Sequence, residues 1–131
     1  MPDSFLVIDD SKLVHQMYRL IFSRGTLAGS SVHYAATGRE GYALLAAHPD
    51  LTLVLLDLNM PEMNGLELLA RRQADGLHPH VPIALVTTED SQDDEARGRN
   101  AGAWDYLRKP FQPADVERLV ERARARTPAQ S

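Results

Sequence analysis

The chain has 131 residues, 44% hydrophobic and 24% charged, which fits one folded domain and excludes a disordered chain. Fourteen Lys and Arg stand against 18 Asp and Glu, a formal charge of −4, so the positive field that direct nucleic-acid binding needs is missing. Cysteine is absent, which excludes disulfides and thiolate chemistry; no apolar run reaches the roughly 20 residues of a bilayer span and Met1-Pro2-Asp3-Ser4 lacks a basic signal start, so neither a membrane partner nor secretion is expected and a cytoplasmic protein is.

Phe5-Leu6-Val7-Ile8 is a strand-like run that stops at Asp9-Asp10. Val14, Met17, Tyr18 and Ile21 follow at the spacing of one helix face. Residues 30–35 read as a second strand. Thr37 and Glu40 have capping-box spacing, and the helix they open carries Tyr42, Leu45 and Ala46 inward. Residues 51–56 are a nearly continuous apolar run, as in a parallel strand covered on both faces.

Asn64 with Glu67 marks the next helix start, with Leu66, Leu69 and Ala70 as its stripe. Residues 81–86 predict a fourth strand, with Pro82 near its start, where a missing donor is tolerated. Residues 91–101 predict a weak helix, short or mobile. Glu89, Asp90, Asp93, Asp94 and Glu95 load its start with acid, and its only aliphatic side chains are Ala96 and Ala101. Gly98 within it costs about 1 kcal/mol relative to Ala. Residues 104–107 are a short fifth strand. Gln112-Pro113 opens a last helix that buries Val116, Leu119, Val120 and Ala123. The tail 127–131 reads as frayed, leaving a single domain over 1–131 with its core at about 4–125. Repeated βα alternation predicts an α/β parallel sheet with right-handed crossovers and helices on both faces.

Open parallel sheets build their sites beyond the carboxyl ends of the strands. Asp9 and Asp10 follow the first strand, Asp57 the third, Thr87 the fourth and Lys109 the fifth. Taken singly, each has a plain reading. Asp10 beside Ser11 can cap a helix, Asp57 can be a turn aspartate, and Gly65 can supply an unusual φ. Thr87 can be a strand threonine, and Lys109 a solvated lysine. Their joint placement is what points to a site. Two unit charges about 4 Å apart repel by roughly 4 kcal/mol at an effective dielectric near 20, so protonation, Lys109 or a cation must offset three carboxylates. An acidic, all-oxygen site suits Mg²⁺ better than a softer metal.

The motifs Asp9-Asp10, Asp57 with Met60-Pro61-Glu62-Met63-Asn64-Gly65, Val86-Thr87-Thr88, and Tyr106 ahead of Lys109-Pro110-Phe111 resemble those of response regulator receiver domains of two-component signalling. The resemblance covers residues 4–125, and the subtype it suggests is the single-domain, chemotaxis-regulator-like receiver. It implies a (βα)5 flavodoxin-like, doubly wound five-stranded sheet in the order 2-1-3-4-5. It makes Asp57 the phosphoacceptor, a nucleophile toward a phosphohistidine or a small phosphodonor. It implies Mg²⁺, ligated by Asp10, by Asp9 through water, by Asp57 and by the backbone carbonyl of Asn59. Lys109, before a cis Lys109–Pro110 peptide, would contact a phosphoryl oxygen. Thr87 and Tyr106 would form the switch, Tyr106 turning inward on phosphorylation. Asn59 and Glu89 would tune dephosphorylation toward a short-lived phosphoryl state.

The implied partners are a sensor histidine kinase or histidine phosphotransfer protein upstream, and a protein target on the face of helix 4, strand 5 and helix 5. The chain would be a monomer or an activation-dependent dimer, and would catalyse only its own phosphorylation and dephosphorylation. Alternatives are a receiver cut from a longer transcription factor or hybrid kinase, a small Mg²⁺-dependent phosphohydrolase, and a flavodoxin-like cofactor binder. Asp57-x-Asn59 lacks the second carboxylate of the hydrolase motif, and Asp9-Asp10 would repel a cofactor phosphate. Two residues depart from the family pattern. Thr88 stands where Ala is frequent, and Trp104, where a small or polar residue is usual, is either a core filler or an exposed partner anchor. Arg118, Arg122 and Arg126 form a helical row, a solvated face or a flank of the output surface. The five histidines show no metal spacing, and His78 and His80 read as solvated loop residues.

Overall fold

The computed structural model describes residues 3–88 and 92–126. The strands are β1 (Ser4–Ile8), β2 (Ser31–Ala35), β3 (Leu53–Asp57), β4 (Ile83–Thr87) and β5 (Asp105–Arg108). The helices are α1 (Lys12–Phe22), α2 (Gly38–Ala47), α3 (Gly65–Asp75), α4 (Gln92–Asn100) and α5 (Pro113–Ala125), and a short 3-10 turn, Gly25–Leu27, follows α1. All strand pairs are parallel and the order is β2-β1-β3-β4-β5, the doubly wound topology expected. No described helix is long and apolar enough to cross a membrane.

Side chains alternate across the sheet, so each strand feeds two cores. Phe5, Val7, Leu55 and Val86 face α1 and α5, where Tyr18, Phe22, Val116, Leu119 and Val120 cover them. Leu6, Ile8, Val54, Leu56 and Leu85 face the other way, against Leu45 of α2 and Leu68 and Leu69 of α3. Both faces of β3 and β4 are therefore buried, which is why these strands read as continuous apolar runs.

The structure shifts several expected boundaries. β3 and β4 start and end later than the apolar runs at 51–56 and 81–86, so Asp57 and Thr87 are the last residues of their strands rather than the first residues beyond them. The ladder explains the shift, since Asp57 pairs with Val86 and Thr87 with Arg108.

Three helix faces are also rotated from expectation. On α1, Met17 is 39% exposed beside exposed Leu13 and Leu20, while Tyr18, Ile21 and Phe22 are buried. On α2, Ala46 is exposed and Leu45 carries the contact. On α3, Ala70 is exposed, and Leu68, Leu69 and Arg72 face the sheet. In each case the larger of two neighbouring apolar side chains takes the buried position, because it removes more apolar surface from water.

Arg72 is the residue the apolar pattern concealed. It is buried, and it donates from Nε to the Leu77 carbonyl (2.9 Å) and from Nη2 to the carbonyls of His78 (2.7 Å) and Val81 (2.6 Å). One guanidinium thus ties the α3–β4 connection, which leaves the helix through Gly76 at φ 62°. His78 and His80 are also bonded, to the carbonyls of Ala46 and Pro49, and His33 stacks on His48 at 4.1 Å.

Trp104 precedes β5 and packs, half-buried, against the α1/α5 core, with the guanidinium carbons of Arg122 and Arg126 at 5.9 and 5.8 Å from its ring centroid. One side of the ring thus fills the core, while the residue remains partly exposed. The arginine row is engaged within the chain: Arg118 pairs with Asp115, Arg122 with Asp105 at 2.8 Å, and Arg126 donates to the His80 carbonyl at 2.9 Å. The expected tail at 127–131 lies outside the described residues.

Gly65 opens α3 after the capping pair Asn64 and Glu67. Its φ is ordinary; the positive φ of this loop, 66°, belongs to Glu62. What Gly65 supplies is space. A Cβ there would come within 2.7 Å of the Asp57 carbonyl oxygen and 2.8 Å of Leu85 Cδ1. Gly65→Ala is therefore expected to lose about 1–3 kcal/mol of stability, against the gain alanine normally brings inside a helix. Urea unfolding checks this, and a stability equal to that of the wild type would mean the loop yields freely.

Candidate functional site at the carboxyl edge of the sheet

Parallel pairing sends the C-terminal ends of β1, β3, β4 and β5 to one edge. Asp9, just past β1, keeps its amide on the Ala35 carbonyl (3.0 Å), which continues the ladder by one bond. Its carboxylate is buried and doubly held: Oδ1 accepts from the Ser11 amide (2.9 Å) and Oδ2 from Lys109 Nζ (3.0 Å). Ser11, not Asp10, caps α1, its hydroxyl accepting from the Val14 amide at 3.3 Å. This frees Asp10, which is exposed at the loop tip, from the capping role.

Asp57 closes β3 and is 5% exposed. Its Oδ1 lies 3.6 Å from Lys109 Nζ and 3.4 Å from the Asn59 amide. One carboxylate oxygen from each of Asp9, Asp10 and Asp57 falls within 4.8 Å of the others. Burial first, and then the Asp9 charge, push the Asp57 carboxyl up to about 6; Lys109 and the Asn59 amide only partly oppose them. Burial and the same two carboxylates also keep the Tyr18 phenol, below the site, protonated.

Lys109 reaches the site because β5 hands its chain across the edge: the Lys109 amide donates to the Thr87 carbonyl at 2.8 Å. The Lys109–Pro110 peptide is cis, as expected. Thr87 is buried at the end of β4 and Thr88 is exposed beside it. Asp9, Asp10, Asp57, Thr87 and Lys109 therefore share one edge, with the Asn59 backbone next to the Asp57 carboxylate. Glu89 lies outside the described residues.

Tyr106 stands apart from that group, half-buried on β5. Its phenol donates to the Glu95 carbonyl of α4, and the Arg99 guanidinium lies 5.0 Å from its ring centroid. The Glu95 carboxylate pairs with Arg108 at 2.6 Å. Gly98 makes this possible, since a Cβ there would meet the Tyr106 oxygen at 2.5 Å. Helix propensity registered Gly98 only as a cost; its spatial role depends on a residue eight positions away.

Chemically, the edge offers three carboxylates with hard oxygen donors, two of them buried, and a neighbouring amine. The donor set fits a small divalent cation such as Mg²⁺, because it is all-oxygen and one Lys109 amine faces three carboxylates.

Comparison with known proteins agrees with this architecture. The family model of the response regulator receiver domain matches residues 5–121. Chemotaxis protein CheY1 of Helicobacter pylori (strain J99) is 34% identical over 116 residues, 88% of this chain and 92% of that one. Response regulator MprA of Mycolicibacterium vanbaalenii is 39% identical over 126 residues, 95% of this chain but 50% of that longer protein. The crystal structure of chemotaxis protein CheY4 of Vibrio cholerae superposes with a TM-score of 0.83 at 30% identity, over 94% of this chain and 99% of that one. With its sheet order, its acidic edge and these matches, the chain belongs to the response regulator receiver family, in its chemotaxis-regulator-like form.

Proposed function

We propose that Asp57 is the phosphoacceptor of this receiver. The observation that carries the reading is the Asp57 carboxylate, buried at a strand end with Lys109 Nζ at 3.6 Å and two further carboxylates beside it. An ionised Asp57 oxygen attacks the phosphorus of a phosphohistidine or small phosphodonor; the bond from phosphorus to the donor nitrogen or oxygen breaks, and an acyl phosphate forms. Later attack of water on phosphorus returns the carboxylate and releases phosphate. The chain's own catalysis is confined to these two steps.

Mg²⁺ would be held by Asp10 and Asp57 directly, by Asp9 through water and by the Asn59 carbonyl. When bound, it supplies charge neutralisation for the phosphoryl oxygens. Lys109, whose Nζ already lies beside Asp9 and Asp57, would neutralise a further oxygen. Asn59 and Glu89 govern how water reaches the phosphorus, giving a short-lived phosphoryl state.

Thr87 and Tyr106 carry the signal outward. The Thr87 hydroxyl moves to the phosphoryl group, and the set of contacts that holds Tyr106 on α4 is redistributed. The upstream partner is a phosphohistidine-bearing kinase or phosphotransfer protein. The downstream partner docks on α4, β5 and α5, where a groove of about 760 Å³ runs between Tyr106, Arg108, Leu119 and Arg122.

Incubation with phosphoramidate and Mg²⁺ is expected to add one phosphoryl group to the wild type and none to Asp57→Asn, read by intact mass. Uptake retained in Asp57→Asn would place the acceptor elsewhere. In the presence of EDTA the cost of holding the Asp57 charge, from burial first and then from Asp9, is measurable. The Asp57 carboxyl rises from 3.8 to about 6 on folding, so the folded state holds that proton more tightly. Stability accordingly falls as pH rises through that interval, and the cost is complete above it. Asp57→Asn is expected to raise metal-free stability at neutral pH by about 1–3 kcal/mol and to flatten the slope between those values. A variant no more stable than the wild type would show that neither burial nor the neighbouring carboxylates penalise the Asp57 charge.

A further inference from the structure

We propose that His15 is a positioning residue for the acidic pair: by holding the Asp9 carbonyl it fixes the peptide plane between Asp9 and Asp10, and with it the aim of both carboxylates. The role rests on the reading of Asp9, Asp10 and Asp57 as a cation site.

His15 lies in the second turn of α1, and its Nε2 is 2.6 Å from the Asp9 carbonyl oxygen. A carbonyl only accepts, so Nε2 carries the hydrogen and donates. The Asp9 carbonyl needs such a donor because the ladder stops at its own amide: β1 ends at Ile8, and the Asp9 amide makes the last bond to β2. The imidazole is itself braced. Its centroid is 5.3 Å from the ring of Tyr34 on β2, and the Arg19 guanidinium lies 4.7 Å from the Tyr34 centroid. The brace thus runs from the sheet edge, through two rings, to the carbonyl.

The two carboxylates depend on this bond unequally. Asp9 has direct restraints, from the Ser11 amide and from Lys109. The Asp10 carboxylate makes no hydrogen bond among the described residues, so its aim is set by the backbone alone. That backbone is the Asp9–Asp10 peptide, and pivoting it about the neighbouring dihedrals swings Asp10 away from Asp57. Like charge on all three groups favours such a swing. A donor on the carbonyl opposes it before any cation arrives, so the cation does not have to order the loop itself.

Calorimetric titration with Mg²⁺ alone tests the proposal on the full chain. His15→Ala is expected to weaken binding about five- to tenfold, the scale of ordering one backbone residue, with the urea midpoint little changed. His15→Gln places an amide donor near the Nε2 position and is expected to recover most of the affinity. Without metal, the amides of Asp10 and Ser11 are expected to exchange faster in His15→Ala and near the wild-type rate in His15→Gln. His15→Ala matching the wild type in Mg²⁺ affinity, while Asp10→Ala loses binding, overturns the role of His15 alone. Equal weakening in His15→Ala and His15→Gln overturns the donor and leaves ring packing as the cause. A wild type that binds no Mg²⁺ removes the cation site, and the role with it.

Discussion

Lys109 is the charge on which the acidic edge depends. Asp9 and Asp57 sit buried at the ends of adjacent strands, and their carboxylates share one amine, at 3.0 and 3.6 Å. That amine arrives from a residue 100 positions further along the chain than Asp9, past the outermost strand of that side. Because β1 and β3 are central and paired, their ends are closest together where the sheet is most covered. The topology therefore forces two carboxylates into proximity at low exposure and must bring a cation from the edge strand to tolerate them. One lysine cannot neutralise three acids. Burial first, and then that imbalance, raise the Asp57 carboxyl, and the uncompensated charge makes the site receptive to further positive charge.

Much of this was legible in the sequence, because strand ends are marked by abrupt changes from apolar to charged or polar residues. Ile8 to Asp9, Leu56 to Asp57 and Val86 to Thr87 each mark a change that the parallel ladder turns into a position on one edge. Capping pairs were equally readable: Asn64 with Glu67 is a local pattern, and the structure closes it locally. What the sequence left open was azimuth. Spacing shows that Val14, Met17, Tyr18 and Ile21 can share a face, but not that the sheet's centre lies on the Tyr18–Phe22 side and leaves Met17 outside. The same ambiguity separates Leu68 from Ala70. Arg72, Gly98 and His15 were opaque for another reason. Each acts on a partner fixed by tertiary structure, a connection's carbonyls, a phenol and a loop peptide, and nothing in its local pattern names that partner.

α4 shows how a poor helix is retained. Its sequence offers little apolar surface, and its contacts to β5 are polar: the Glu95 carbonyl holds the Tyr106 phenol, the Glu95 carboxylate holds Arg108, and Arg99 lies over the Tyr106 ring. Polar, partly exposed contacts of this kind are individually weak, on the order of 1 kcal/mol each, and they are exchanged at little cost. A helix fastened by an apolar stripe would resist displacement in proportion to the area it buried. Fastened in this way, α4 is held in register with β5 without being locked to it. The same strand delivers Lys109 to the acidic edge, so the residues that hold α4 and the residue that balances the carboxylates lie within four positions of one another.

That proximity bears on how a local charge change becomes a surface change. Under the proposed reading, a phosphoryl group on Asp57 would alter the demand on Lys109 and Thr87, and the Thr87 carbonyl is bonded to the Lys109 amide, which couples the two sides of the β4–β5 edge. Arg108 pairs in the ladder with Thr87 and by its side chain with Glu95, which connects the same edge to α4. The route from site to face is therefore short: one ladder position and one ion pair. A rigid sheet would make it effective: β3 and β4 are buried on both faces with little room to absorb a displacement, so under the proposed reading strain at their carboxyl ends would pass to the loosely fastened element beside them.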